Sequence, residues 1–550
     1  MHQVIMLDEL TTERRIRWDD STDKFQGSCQ EHNHKVSLTF SSERELDLLC
    51  DALQKNEVHL ASEVCLIMQR GSHTLFNNFH LIQATVAALG VISENPREYS
   101  ARPIMFSGTC KKETGEEHAH LIRTILKATE NHKNRNGITY RIVCVASDGE
   151  AKRGDALVIL TMHSTLSSDS PIYKHLKPLV FMNLLVGQDD ITADKDFKHV
   201  FKRQRNLMMR NKGIVIQGFC ITPPILRLHL ESNGVPPYHL RALLNPNDQQ
   251  DVVLGYSLLK EIWSLPPAPQ NSSPSFTRAR DALHLYGQFA HHLITPYILC
   301  IHLNLDEQLI HLSTAAHLAL YLYHDNSACT KFMPSQSYID IMLMIKNVYF
   351  CIAKAKIDNP SGKFYIILLG TDRIEIFFGF IRTAVGTDTN VDMIQLGSRA
   401  SGLTKVAIIL AEHPEWDHSP QRLHLPAITK DSGDISSKVD HINPASWRGN
   451  VKVTNVNLQT CWLLGHRKAV ELIPEADAVF DQLSQVQGVD ILSPFGQILV
   501  NQRDLEDEYD YSELATGYTT LETPILSPPE HLTTEASVIH TRRRFGRRNG

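Results

Sequence analysis

No stretch of this 550-residue chain reaches the roughly 18 consecutive apolar residues of a membrane span, and its start lacks a signal-peptide pattern. No membrane partner is expected, and the reading is a soluble protein of the cytoplasm or nucleus. Ten cysteines are scattered from Cys29 to Cys461 without one Cys-x-x-Cys pair. That spacing argues against a zinc finger and a secreted disulfide scaffold, shows no zinc-ligand set, and favours a reducing compartment. No excess of basic residues advertises nucleic acid: the formal net charge is −6, so any such surface must be local. A Gly-x-x-x-x-Gly-Lys-Ser/Thr phosphate loop is missing too, Gly108 to Gly115 being only superficially similar.

What is present is a folded chain, 42% hydrophobic and 21% charged, long enough for two to four domains. Three acidic residues stand out. Asp8 ends the apolar run Val4-Ile5-Met6-Leu7, and Asp148 ends Ile142-Val143-Cys144-Val145-Ala146-Ser147. Continuous β-branched runs of this kind read as buried strands, each with a carboxylate at its C-terminal tip. Glu375 lies in Gly370-Thr371-Asp372-Arg373-Ile374-Glu375, which opens a helix with Thr371 or Asp372 as its cap. Hard cations take oxygen ligands, and a pair of them clamps the attacking and leaving oxygens of an in-line displacement. Two strand-end aspartates and a helical glutamate suit such a site if they converge. Asp372, three residues before Glu375, shares its helix face, as a further metal ligand or as the cap.

The stretch Lys195-Asp196-Phe197-Lys198-His199-Val200-Phe201-Lys202-Arg203-Gln204-Arg205-Asn206 resembles the Asp-x-Lys-His-x-x-Lys-x-x-Arg-Asn block of P-element-like (THAP-associated) DDE transposases, nearest the transposase-derived proteins of mushroom-forming fungi. Ser147 to Glu150, Leu244 to Val252, Gly370 to Gly379, Asn390 to Leu396 and Asn443 to Gly449 are similar to that group as well, in the same order. The resemblance runs from Met1 to about Val500. It implies an α/β fold with an RNase H-like mixed-sheet core, a mostly helical insertion domain before the last catalytic helix, and a disordered C-terminal tail. The implied function is the catalytic region of a DNA transposase performing two-metal phosphodiester cleavage and strand transfer. Asp8, Asp148 and Glu375 would be catalytic, holding two Mg2+ or Mn2+ ions with Asp372 beside them.

The implied partner is DNA, as transposon ends or nonspecifically, with a homo-oligomer as the active form and the nucleus as location. On a helix Lys198, Lys202 and Arg205 share one face, with Arg203 nearby, suited to DNA phosphates or simply solvated. Some relatives carry a guanine-nucleotide module in the insertion, which makes GTP an optional ligand. Asn245, Asp248 and Asp251 read more simply as the turn and cap of the next helix. Transposases of this group carry an N-terminal zinc-dependent DNA-binding domain, yet Asp8 stands eight residues in, so a truncated reading frame is expected. The alternative is an inactive or domesticated remnant acting as a DNA- or protein-interaction module.

The expected organisation is a first part of the core over 1–210, the insertion domain over 211–335, completion of the core and a C-terminal region over 336–500, and a tail over 501–550. Within the first part a hairpin is expected around Asp19 to Lys24, helices over Ser42–Lys55, Glu116–His132 and Asp155–Met162, and a strand at Ile104-Met105-Phe106. Segment 64–83 reads as foreign, a retained intron or a surface insertion, interrupting a short helix that would run from Ala61-Ser62-Glu63 into Ala84-Thr85-Val86. The histidines from His291 to His324 lack zinc-site spacing and read as core-edge or surface groups. Phe364 to Leu369 reads as a short strand. The acidic run 504–510 and the basic run Arg542 to Arg548 belong to the tail.

Overall fold

Five strands make the central sheet of this computed structural model: β1 (His2–Thr11), β2 (Gln83–Val91), β3 (Arg102–Thr109), β4 (Arg141–Ser147) and β5 (Thr192–Lys195), in the order β3-β2-β1-β4-β5. The structure describes residues 2–499 except 14, 61–82, 94–100, 110–112, 131–140, 149–150, 249–250, 300, 326–331, 385–390, 414–415, 417–443 and 445–446. Apart from Gln83, the foreign segment lies outside the described residues, as does the tail.

β1 pairs antiparallel with β2, and β2 with β3, whereas β1, β4 and β5 run parallel. Val4 to Leu7 and Val143 to Ala146 are fully buried, so both faces of the central strands are covered, as their continuous apolar runs require. Ala84-Thr85-Val86, expected to continue a helix, is instead part of β2. Its residues are buried against both neighbouring strands, and Thr85, Val86 and Val91 supply β-branched side chains that suit a pleated surface.

The expected hairpin forms between Arg17–Asp19 and Lys24–Gln26. The expected helices form as α1 (Glu43–Gln54), α2 (Gly115–Glu130) and α3 (Ala151–Thr161). Beyond β5 the described chain is mostly helical, apart from a short hairpin of Ile214–Ile216 with Phe219–Ile221. Its longer helices are α4 (Phe197–Met209), α5 (Val252–Trp263), α6 (Pro274–Ile294), α7 (Leu305–Asp325) and α8 (Ser335–Asp358), then α9 (Asp372–Thr383), α10 (Met393–Glu412) and α11 (Leu458–Leu472). One apolar core joins sheet and helices across residues 210 and 335.

Helix α8 is the centrepiece of that core, every residue from Ser337 to Ala355 being buried. It lies against β4 and β5, and two of its polar side chains bond there. Lys354 donates to the Val143 carbonyl (2.7 Å), and Asn347 accepts from Thr192 (2.6 Å). Phe364 to Leu369, expected as a strand, is a buried segment with a 3-10 turn at Ile366–Leu368 and no ladder partner. A short apolar run cannot be told from a buried turn by its pattern alone.

Candidate active site

Register brings three aspartates together. Leu7 on β1 pairs with Ser147 on β4, and Ser147 pairs with Lys195 on β5. The next residues are Asp8, Asp148 and Asp196. In-register positions on parallel neighbours share a face, and adjacent strands lie about 4.8 Å apart. Three carboxylates therefore stand side by side where the parallel ladders end. Asp148 and Asp196 lie just past β4 and β5, and Asp8 is not at the tip of its strand as expected but inside β1, which runs on to Thr11 paired with β2. Asp196 belongs to the Lys195–Asn206 block, but its pattern does not single it out as a site residue. Its strand has four residues, and nothing local in Thr-Ala-Asp-Lys announces a pairing with β4.

Asp196 also organises the start of α4 and of α9. Its Oδ1 accepts the His199 amide (3.1 Å), capping α4, and lies 3.1 Å from the His199 ring Nδ1. Its Oδ2 accepts the amide and hydroxyl of Thr371 (3.1 and 3.2 Å), while Asp194 on the same side of β5 accepts the Gly370 amide (2.7 Å). The chain thus leaves the sheet at Asp196 and is fastened back to it at Gly370 and Thr371. Gly370 has φ +79°, a left-handed turn that turns the chain into α9. Thr371 is the N-cap residue of α9, Asp372 its first residue, and Glu375 stands in its first turn. Arg373 ties that turn to the sheet, donating to the carbonyls of Val91 and Leu368 (2.7 Å each).

The result is a cluster in which donor atoms of Asp196, His199 and Glu375 all lie within 4.8 Å of one another. Burial, then the Asp148 charge, pushes Asp8 up to about 7, with Asp196 adding to the shift. Burial, then the Asp196 charge, likewise raises Glu375 to about 7. Asp196 itself is held well below the usual carboxylate range: burial opposes its charge, but the His199 hydrogen bond and the His199 and Lys198 charges outweigh it. Asp8 and Asp148 interact directly, and Asp196 links them to Glu375.

The basic residues of α4 face inward. Lys198 is buried, ion-paired with Asp372, and its charged form is favoured further by Glu375 and Asp196. Arg203 pairs with Asp340 of α8, which also holds Lys195 (3.3 Å). Arg205 is buried and donates to the carbonyls of Leu243, Asn245 and Asp248. Lys202 is half-buried, with burial lowering its pKa against the nearby Glu375 and Asp196 charges. The Asn245–Asp251 block forms a turn and a cap, Asn245 accepting the Asn247 amide and Asp251 the Leu254 amide. Glu150 lies outside the described residues.

Arg153 of α3 is a further member of the site that no sequence pattern announced. It is buried with its guanidinium against Asp148 (2.9 Å) and Glu9 (3.0 Å), clamping the tips of β1 and β4.

No family model and no curated protein matches the chain. Among solved structures it is similar to the Drosophila P element transposase strand transfer complex, at 15% identity and a TM-score of 0.43, over 75% of this chain and 78% of that one. At that distance the likeness assigns no activity.

The residues suit a hard divalent cation. The donors are carboxylate oxygens and one imidazole, and two of the acids are pushed up to about 7 by burial and then by a neighbouring acid charge, both of which a bound cation would offset. Asp372 is buried with its Oδ2 accepting no hydrogen bond, an orphan acceptor beside Glu375. Among the described residues no helix is long and apolar enough to cross a membrane.

Proposed function

We propose that this chain is the catalytic region of a P-element-like DDE transposase, built on an RNase H-like core and acting on DNA phosphodiesters. The observation that carries the reading is the acid placed just past the last paired residue of each of three adjacent strands in their parallel ladders, with Glu375 brought to Asp196 by the Gly370 turn. The sheet order, three antiparallel strands followed by two parallel to the first, supports the RNase H-like assignment, and the ordered sequence blocks support the family.

Asp8, Asp148, Asp196 and Glu375 would hold Mg2+ or Mn2+, with His199 and Asp372 at the margin of the set. Two such ions, when bound, activate the attacking oxygen and stabilise the leaving one. The chain's own part is positioning. Arg153 spaces Asp8 from Asp148, Asp196 fixes His199 and the start of α9, and Lys198 holds Asp372. Lys202, half-buried beside the Glu375 and Asp196 charges, would be the α4 cation to meet a DNA phosphate.

A second reading, a catalytically inactive module that keeps the fold, is favoured by the internal countercharges: Lys198 on Asp372 and Arg153 on Asp148. A metal-dependent nicking and strand-transfer assay on supercoiled DNA separates the two. Asp148→Asn and Glu375→Gln should each abolish Mg2+-dependent nicking. Wild-type protein that binds Mn2+ but never nicks would leave only the second reading, and activity unchanged in Asp148→Asn would sink the first.

A further inference from the structure

A second set of donors lies outside this site. Cys29 caps the 3-10 helix Gln30–Lys35, and His32 sits on its first turn. In a 3-10 helix positions three apart eclipse, so Cys-x-x-His presents both side chains on one edge, and the Cys29 Sγ lies 3.1 Å from the His32 Nδ1. The third member arrives from afar. The Cys29 amide donates to the His59 carbonyl (2.9 Å), beside the bridge between Ser28 and Leu60. This backbone pairing sets the His59 ring against His32 with centroids 4.1 Å apart. Donor atoms of Cys29, His32 and His59 all lie within 4.8 Å of one another.

Two observations point to a ligand. The His59 Nδ1 is buried and has no hydrogen-bond partner, which is costly unless something fills that position. The surrounding lobe also has its own small apolar cluster: among the described residues Phe25, Leu49, Ala52 and Val58 are buried in it, with half-buried side chains such as Leu38 and Leu46 packed against them. Small cores of this size are commonly completed by a metal or a disulfide.

We propose that Cys29, His32 and His59 bind a zinc ion that staples this lobe, the hairpin and α1, beside the sheet. One thiolate and two imidazoles suit zinc rather than the oxygen-seeking Mg2+. A tetrahedral centre with ordinary Zn–S and Zn–N bonds separates its donors by about 3.3–3.6 Å, close to the arrangement present. Among the described residues three donors form the set, and water takes the fourth position. Gln30, next to Cys29, meets Ser107 on edge strand β3, so the staple also fixes where the lobe meets the sheet. The site is independent of the acidic cluster and stands whether or not the chain cuts DNA.

The test is metal content of full-length protein purified without chelator, by elemental analysis. Close to one zinc per chain is expected, retained in Asp148→Asn and lost in Cys29→Ser and in His59→Gln. Zinc kept by both of those variants, or a wild type that neither carries nor takes up zinc, would overturn the proposal. Should the variants fail to fold, cobalt-substituted wild type decides. A near-ultraviolet thiolate-to-cobalt band supports the site, and its absence overturns it. Chelation should then speed amide exchange across residues 17–60 while β1 stays protected, and uniform exchange in both states would remove the stapling role.

Discussion

Replacing Arg153 with methionine is the sharpest probe of how the acidic cluster is held. The guanidinium is 1% exposed and serves Glu9, 7% exposed, and Asp148, 24% exposed. Methionine fills much of the volume but leaves two carboxylates facing each other without a countercharge. Removing one partner of a buried ion pair costs about 3–5 kcal/mol. Asp148 retains some contact with water, so the lower end, about 3 kcal/mol, is expected in urea unfolding without divalent metal. The Arg153 charge also draws the Asp8 pKa down against burial and the Asp148 charge. Without it Asp8 moves further above about 7, is more fully protonated at neutral pH, and binds Mn2+ more weakly. Adding Glu9→Gln and Asp148→Asn to the methionine variant removes the stranded charges and should restore most of the lost stability. A loss below about 1 kcal/mol, or a triple variant no more stable than the single one, would refute the clamp.

Acid should weaken the helical body through its buried histidines. Burial lowers His317 and His292 to about 3 and His311 to about 4, so the folded state keeps them neutral where the unfolded chain, near 6.5, takes up protons. The contribution of these histidines is therefore full above pH 6.5 and is lost as pH drops from there toward about 4, by up to about 1.4 kcal/mol per pH unit for each. Asp8 and Glu375, raised to about 7, take up protons in the folded state and oppose that loss. Urea midpoints through that window should show the slope, and His317→Gln should flatten it. Gly370→Ala places a Cβ 3.2 Å from the Asp196 Oδ2 at φ +79°, costing about 1–2 kcal/mol and reducing nicking. Gly379→Ala, inside α9 with open space around it, should be neutral or stabilising by up to about 1 kcal/mol, and equal effects of the two would count against the turn's role.

Much of the sheet was legible because β1 and β4 are buried on both faces, and such strands write themselves as unbroken apolar runs. The helices α1, α2 and α3 were legible from their spacing. β2 was not, because its alanine-rich text suits a helix equally and only its two partners decide. β5 is four residues long with two charges, and its aspartates matter only through a register with β4. The α4 cations show the same limit: their spacing on one helical face was right, but their partners are 340, 372 and the 243–248 carbonyls, beyond any local pattern. Cys29 and His32 lay in plain view as Cys-x-x-His, and the missing signal was His59, twenty-seven positions further on.

The fastening of Gly370 and Thr371 to Asp194 and Asp196 also sets a schedule for biosynthesis. Asp8 leaves the ribosome early and Glu375 late, an interval of roughly 20–70 seconds at ordinary elongation rates. Through that interval the nascent chain can pair its parallel strands, yet Lys198 has no Asp372 to receive it and Asp196 no Thr371. A product that stops between residues 196 and 375, from a stalled ribosome or a protease, carries the three aspartates and no Glu375. Completion of the cluster thus reports that most of the chain has been made and threaded home.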